Sequence, residues 1–224
     1  MKDPSQIKVL VACEESQRVC MAFRERGFEA YSCDLLEPSG GHPEFHILGD
    51  ALKALNVIHW DLLIAHPPCT YLSNAGARHL YKRIKGESYI DLNRFSKGLD
   101  AKDFFMRFYN ADIKHIAIEN PLPNTIFALP PYTQTIQPYE YGHPYTKRTC
   151  LWLKNLPPLK PTNIVEPIAT WCPSGSYSHK HGEKHKGMFT TDRAKNRAKT
   201  FPGIAEAMAV QWGDYLLQED NECQ

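Results

Sequence analysis

Short apolar runs alternate with amphipathic stretches along the first half of the chain. The run Ile7 to Ala12 is largely apolar, which predicts a strand buried on both faces of a sheet. The segment Glu14 to Arg26 spaces its apolar residues as a helix does, and Gly27 closes it. Further strands are predicted at Phe28 to Cys33, Asp61 to Ala65, His115 to Ile118 and Thr149 to Leu153, and further helices at Lys97 to Asn110 and Pro202 to Leu217. This alternation predicts an α/β fold with a largely parallel sheet and right-handed crossovers.

Polar residues gather where these predicted strands end. Ligands of parallel α/β sheets bind outside the carboxyl ends of the strands, so these residues are expected to converge on one edge. They are Ala12 to Glu15, Asp34 with Leu35, Gly49 with Asp50, His66 to Thr70, and Glu119 to Pro121. The pattern predicts a ligand site at that edge.

Composition narrows the class of protein. The chain has 224 residues, a number typical of one domain, and its formal net charge of +1 excludes nucleic-acid binding through bulk charge alone. No apolar run approaches the length of a membrane span, and we expect no membrane partner. The seven cysteines form no CxxC spacing, which favours a reducing, cytoplasmic setting.

Two strand-end residues carry candidate chemistry. Cys69 follows two prolines in a rigid loop, where a thiolate could act as a nucleophile, although most cysteines outside disulfides are buried apolar filler. Glu119 precedes an Asn-Pro pair that by itself indicates a turn. A carboxyl group that can be protonated there could hold a ring nitrogen of a substrate.

Together these residues resemble a family. Pro67-Pro68-Cys69 resembles the Pro-Cys motif of DNA cytosine-5 methyltransferases, and Ile118 to Pro121 is similar to their Glu-Asn motif. Tyr141 to Leu153 resembles their basic motif before a late strand, and Lys199 to Ala207 resembles their C-terminal helix on the cofactor side. The motifs occur in the family's order over nearly the whole chain. The compact form is similar to short bacteriophage and prophage members, and the resemblance implies a Rossmann-like class I methyltransferase fold.

The resemblance also implies a mechanism. The Cys69 thiolate adds to C6 of cytosine, Glu119 protonates or hydrogen-bonds N3, and Asn120 positions the adjacent loop. C5 then takes a methyl group from S-adenosylmethionine. In duplex DNA the target base has to be flipped out to reach Cys69. The implied partner is therefore DNA.

The remaining implied site residues form two sets. In the cofactor set, Asp34 accepts from the ribose hydroxyls, as acids at this strand end do in Rossmann-like sites, and Asp50 reaches the adenine amino group. The sequence departs from the family at these sets: the turn after the first strand has no glycine, Thr70 replaces a glutamine, and Lys147 and Thr149 align with two arginines. The cofactor set is Ala12, Cys13, Glu14, Asp34, Leu35, Asp50, Ala51 and Pro67, and the substrate set is Thr70, Lys147, Arg148, Lys195 and Arg197.

The segment 155–199 takes the place of a full target-recognition domain. It is loop-rich and basic, which suits phosphate contacts. The spacing of Cys172, His179, His181 and His185 fits no standard zinc site, so no metal is predicted. We expect one methyltransferase-like catalytic domain over 1–224, acting as a monomer.

Three alternatives remain open. Glu14 and Glu15 in place of glycines favour a binding protein of this fold that has lost catalysis. The missing recognition domain is compatible with an enzyme that modifies a free cytosine nucleotide. The segment His66-Pro67-Pro68 resembles the Asp/Asn-Pro-Pro-aromatic motif of amino-methyltransferases, but Cys69 and a separate Glu119-Asn120 argue against that class.

Overall fold

A seven-stranded sheet forms the centre of the computed structural model, which describes residues 3–77, 79–84, 86–170, 176–177, 184–185 and 198–219. Its order along the sheet is β3-β2-β1-β4-β5-β7-β6. Strands β1 to β5 run parallel, and β7 lies antiparallel between β5 and β6. The strands are β1 Lys8–Ala12, β2 Glu29–Asp34, β3 His46–Leu48, β4 Leu62–Ala65, β5 His115–Pro121, β6 Gln134–Ile136 and β7 Thr149–Lys154.

This order is the doubly wound Rossmann order with one reversed strand inserted near an edge. The Rossmann-like, mostly parallel sheet predicted from the sequence is therefore confirmed. The strand order reverses between β1 and β4, where such sheets open a crevice for ligands. The short strands β3 and β6 are not predicted from the sequence, because three residues give too little periodicity to recognise.

Helices cover both faces of the sheet. Alternate strand residues such as Val9, Val11 and Ile64 pack under α1 and α5, whereas Leu10 and Leu63 pack on the other face with α2 and α4. The helices are α1 Arg18–Glu25, α2 Ala51–Ala54, α3 Asn74–Ala77, α4 Leu92–Tyr109 and α5 Pro202–Gln218, with 3₁₀ turns at Pro4–Gln6, Pro43–Phe45, Thr125–Phe127 and Pro138–Glu140.

Two helices begin elsewhere than the sequence predicts. Helix α1 begins at Arg18 rather than Glu14, because Cys13 (φ 60°) and Gln17 (φ 58°) adopt left-handed backbone that no helix can include. The turn after β1 thus adopts conformations that glycine would favour, without a glycine. Helix α4 begins at Leu92 rather than Lys97, since the Asp91 carboxylate accepts from the Arg94 N–H and caps it.

Smaller elements lie outside the sheet. An antiparallel hairpin, Tyr81–Ile84 with Glu87–Ile90, lies between α3 and α4. Tyr145–Thr146 pairs with Ala169–Thr170, and Ser176–Tyr177 pairs with Lys184–His185. Among the helices of the described ranges, none combines the length and the apolar character that a membrane crossing requires.

Candidate active site

A histidine and a glutamate pair at the carboxyl edge of the sheet. In the register of β4 and β5, Ala65 lies opposite Ile118, so the next residues, His66 and Glu119, emerge side by side. His66 Nδ1 donates to Glu119 Oε2 over 2.8 Å. Both side chains are almost nine-tenths buried, at 11% and 12% exposed. Alternation along the strands directs them to the face covered by α1 and α5.

Each partner shifts the other's pKa. Burial alone would lower the pKa of His66, but the hydrogen bond and charge of Glu119, together with the charge of Glu14, raise it above its ordinary value. Burial alone would raise the pKa of Glu119, but His66, Lys147 and the Thr200 hydroxyl hold it below its usual range. The two side chains therefore form an ion pair around one shared proton.

The segment before α5 completes this cluster. Thr200 Oγ1 donates to Glu119 Oε2 over 3.4 Å, and Arg18 Nη1 of α1 donates to the Thr200 carbonyl oxygen over 2.7 Å. The Gly203 N–H donates to His143 Nε2 over 3.0 Å, which fastens the Tyr141 to Pro144 segment to the first turn of α5. The N-terminal ends of α1 and α5 are thereby held over the His66–Glu119 pair.

Asn120 ties the cysteine loop to the same edge. Its side-chain amide is buried and donates to the Pro67 carbonyl oxygen over 2.9 Å. Cys69 lies two residues farther along, half-buried, and its carbonyl oxygen accepts from the N–H groups of Leu72 and Ser73. The structure thus brings Cys69, Glu119 and Asn120 together at one edge through the Asn120–Pro67 hydrogen bond.

Arg94 of α4 supports the far side of that loop. Its Nη2 donates to the carbonyl oxygens of Thr70 (3.1 Å) and Gly76 (3.2 Å). A Cβ at Gly76 would lie 2.2 Å from the Thr70 carbonyl oxygen, so only glycine fits this approach. The side chain of Thr70, a predicted substrate contact, is exposed.

Glu14 is engaged within the protein. Its carboxylate accepts from the N–H groups of Val19 (2.7 Å) and Cys20 (3.1 Å) at the start of α1, and it is only 4% exposed. Its side chain therefore occupies the helix end where Rossmann-like sites hold phosphate. A pyrophosphate would meet a buried carboxylate there, which disfavours a dinucleotide ligand.

Replacing Glu14 with alanine should destabilise the fold. The Val19 and Cys20 amides would lose their acceptor in a buried position, at a cost of about 2–4 kcal/mol in unfolding free energy. The measurement is urea unfolding of wild type and Glu14→Ala. Glu14→Gln keeps one amide acceptor and should cost about half as much. Equal stability of wild type and Glu14→Ala would show that the carboxylate does not cap α1.

The other predicted cofactor residues lie at or just after the ends of the four strands β1 to β4. Asp34 Oδ1 accepts from the Leu36 N–H (3.0 Å), and Asp50 Oδ1 caps α2 through the Leu52 N–H (2.9 Å). Burial raises the pKa of the Cys13 thiol, and the negative charges of Asp34 and Asp50 raise it further. Leu35 is 76% exposed beside Asp34, whereas Ala12, Ala51 and Pro67 are buried.

The predicted substrate residues are only partly brought together. The positive charge of Lys147 lowers the pKa of both His66 and Glu119, which indicates that Lys147 lies near the pair. Its Nζ lies 5.9 Å from the Phe201 ring centre. Arg148 is exposed. Lys195 and Arg197 lie outside the described residues, as do Cys172, His179 and His181 of the rejected zinc set and the side chain of His185.

Sequence reasoning missed the roles of two residues. The sequence marks His66 only as one of the strand-end residues and as part of the Pro-Pro segment, and Thr200 only as part of a C-terminal segment. The register of β4 with β5 is the signal that would have found His66, since residues that follow paired positions on parallel strands emerge together. Nothing in the local sequence marks Thr200 as a partner of Glu119, because its hydroxyl reaches that carboxylate from 81 residues away along the chain.

Comparisons with known proteins give limited similarity. No protein-family model and no curated protein match the chain. A solved structure of a candidate DNA modification methyltransferase, encoded within a prophage of E. coli, is 13% identical with a TM-score of 0.43, covering 79% of this chain and 62% of that one. The Entamoeba histolytica methyltransferase EhMeth is 14% identical with a TM-score of 0.40, covering 75% of this chain and 58% of that one. The chain spans less than two thirds of either, and at these similarities neither assigns it an activity.

Proposed function

We propose that this protein is an S-adenosylmethionine-dependent methyltransferase that methylates C5 of cytosine in DNA through a covalent Cys69 adduct. The observation that carries the proposal is the hydrogen bond from Asn120 to the Pro67 carbonyl oxygen. It fixes the loop of the candidate nucleophile against β5, the strand that carries Glu119, the candidate acid. A thiol and a carboxyl group on one sheet edge suit a cytosine ring, whose C6 must be attacked by a nucleophile and whose N3 must be neutralised.

The proposed reaction uses these side chains in order. The Cys69 thiolate adds to C6, and the negative charge that develops on the ring is met by a proton at N3 beside Glu119. C5 becomes an enamine carbon and can accept a methyl group. Loss of the C5 proton to solvent and departure of the Cys69 sulfur then restore the aromatic ring. Asn120 takes no proton, because its role is to hold the Pro67 carbonyl and the loop behind it.

The residues at the ends of β2 and β3 fit the adenosine part of the methyl donor. Asp34 is an acceptor suited to ribose hydroxyls, Asp50 is an acceptor suited to an adenine amino group, and exposed Leu35 offers an apolar surface. The capping role of Glu14 disfavours a phosphate there and is compatible with a positively charged sulfonium ligand. When bound, S-adenosylmethionine supplies an electrophilic methyl group.

Transfer of a tritiated methyl group to cytosine tests this function. We expect label in duplex or single-stranded DNA, and a 5-methylcytosine product by nucleoside mass spectrometry. Label in dCMP instead would move the substrate to a free nucleotide. Donor binding in calorimetry without label in any cytosine substrate would overturn cytosine methylation, and absence of donor binding would favour a binding protein of this fold.

A further inference from the structure

The resting charge of Glu119 does not match the task of neutralising N3. N3 of neutral cytosine is a hydrogen-bond acceptor, so the group facing it has to donate a proton. An ionised carboxylate has only acceptors. His66, with Lys147 and Thr200, holds the pKa of Glu119 below its usual range, which leaves the carboxyl ionised before the base arrives.

The missing proton lies one hydrogen bond away, on His66 Nδ1, 2.8 Å from Glu119 Oε2. We propose that His66 is a positioning residue that stores this proton and passes it through Glu119 to the base, so that the His66–Glu119 pair acts as a two-residue proton relay. This inference rests on the proposed function, and it adds a residue that the family motifs do not contain. Both hydrogen bonds that Glu119 accepts from described residues end on Oε2, which leaves Oε1 as the oxygen to face the substrate.

The protons and charges of the relay balance. Before the reaction the His66 side chain is an imidazolium, Glu119 is a carboxylate and Cys69 is a thiolate. The proton leaves Nδ1 for the carboxylate and moves on to N3 as the sulfur bonds to C6, which leaves neutral His66, ionised Glu119 and a neutral enamine ring. C5 then takes the methyl group, which adds one positive charge to the base. The C5 proton goes to solvent, the Cys69 sulfur departs as a thiolate, and the N3 proton returns through Glu119 to His66. No outside oxidant or acid is required.

The surroundings of His66 suit a store of one proton. The charged groups that face it are Glu119 from β5, Glu14 from the turn before α1 and Lys147 from the segment before β7. The two carboxylates favour the imidazolium, and Lys147 limits its stability so that the proton can leave. His66 Nε2 is buried without a hydrogen-bond partner in the described ranges. Because an imidazolium carries an N–H on this atom too, the missing partner disfavours the charged ring and helps the proton to leave.

The pH dependence of turnover tests the relay. A pair that can hold the working proton on either member binds it more tightly than one member alone. In His66→Gln an amide still donates to Glu119, but the proton has one site instead of two. We expect the alkaline limb of the profile to move to lower pH by about one pH unit, so that turnover falls about tenfold more at pH 8.5 than at pH 6.5.

A second histidine supplies the matched control. His143 accepts from the Gly203 N–H near the same helix end but lies outside the pair. His143→Gln keeps an acceptor for that N–H and should leave the alkaline limb where the wild type has it. If the wild type forms the Cys69 adduct but the alkaline limb of the His66→Gln profile does not move, the relay is overturned and the proposed function is not. Failure of the wild type to form any adduct overturns the proposed function, and the relay with it.

Nitrogen-15 NMR of the histidine rings tests the relay even if His66→Gln does not fold. In the wild type we expect the His66 ring to titrate above its ordinary range, and in Glu119→Gln to titrate at lower pH. A His66 ring that is neutral at pH 6 in the wild type stores no proton, and that result overturns the relay.

Discussion

Cys69→Ser should abolish the covalent adduct with DNA that contains 5-fluorocytosine. In the wild type the Cys69 thiolate adds to C6 of the fluorinated base, and C5 is methylated. The adduct then persists, because fluorine at C5 cannot leave as a proton does. A serine hydroxyl is not ionised near neutral pH and is a much weaker nucleophile. We expect no adduct on a denaturing gel and a fall in turnover of about 10⁴-fold or more.

The matched control removes a different thiol close to the site. Cys150 is fully buried on β7 and pairs in register with Asn120, and burial raises its pKa to about 11, which keeps it a neutral thiol. Cys150→Ala should therefore retain the adduct. An adduct that survives in Cys69→Ser would sink Cys69 as the nucleophile, and loss of the adduct in both variants would point to a folding defect.

The fold was predictable wherever a strand is a continuous apolar run. The four-residue run of β4 is entirely buried and reads as a parallel strand from its composition alone. The three-residue strand β3 is half-exposed and has no periodicity to read, so its place comes only from pairing with β2. The predicted start of α1 was wrong because left-handed backbone at Cys13 and Gln17 has no mark in the sequence.

The site was predictable only as far as sequence motifs reach. Cys69, Glu119 and Asn120 come from local motifs, and the structure joins them through one hydrogen bond. Their electrostatic setting comes from residues far apart in the chain. Strand register places His66 beside Glu119, and Glu14, held at the start of α1, raises the pKa of His66 through its charge. Local patterns indicate which side chains can do chemistry, whereas pairing across strands decides which are charged.

Glu119→Gln should remove turnover while leaving cofactor affinity intact. A glutamine cannot pass a proton to N3, which should lower turnover about 10²- to 10⁴-fold. The cofactor residues Asp34 and Asp50 lie at other strand ends, so calorimetry should return the wild-type affinity for S-adenosylmethionine. The matched control is Glu206→Gln, an exposed glutamate on α5, with no expected effect. Unchanged turnover in Glu119→Gln would rule out its role.

The same variant should show where in pH the pair stabilises the fold. Glu119 has a lowered pKa, so its contribution is present above its ordinary value of 4.5 and is lost as pH falls through the native value. His66 has a raised pKa, so its contribution is present below its ordinary value of 6.5 and is lost as pH rises through the native value. Urea unfolding of wild type and Glu119→Gln should therefore differ most near pH 5.5, by about 2 kcal/mol, and less near pH 9. A difference that does not vary with pH would mean that the two side chains are not an ion pair.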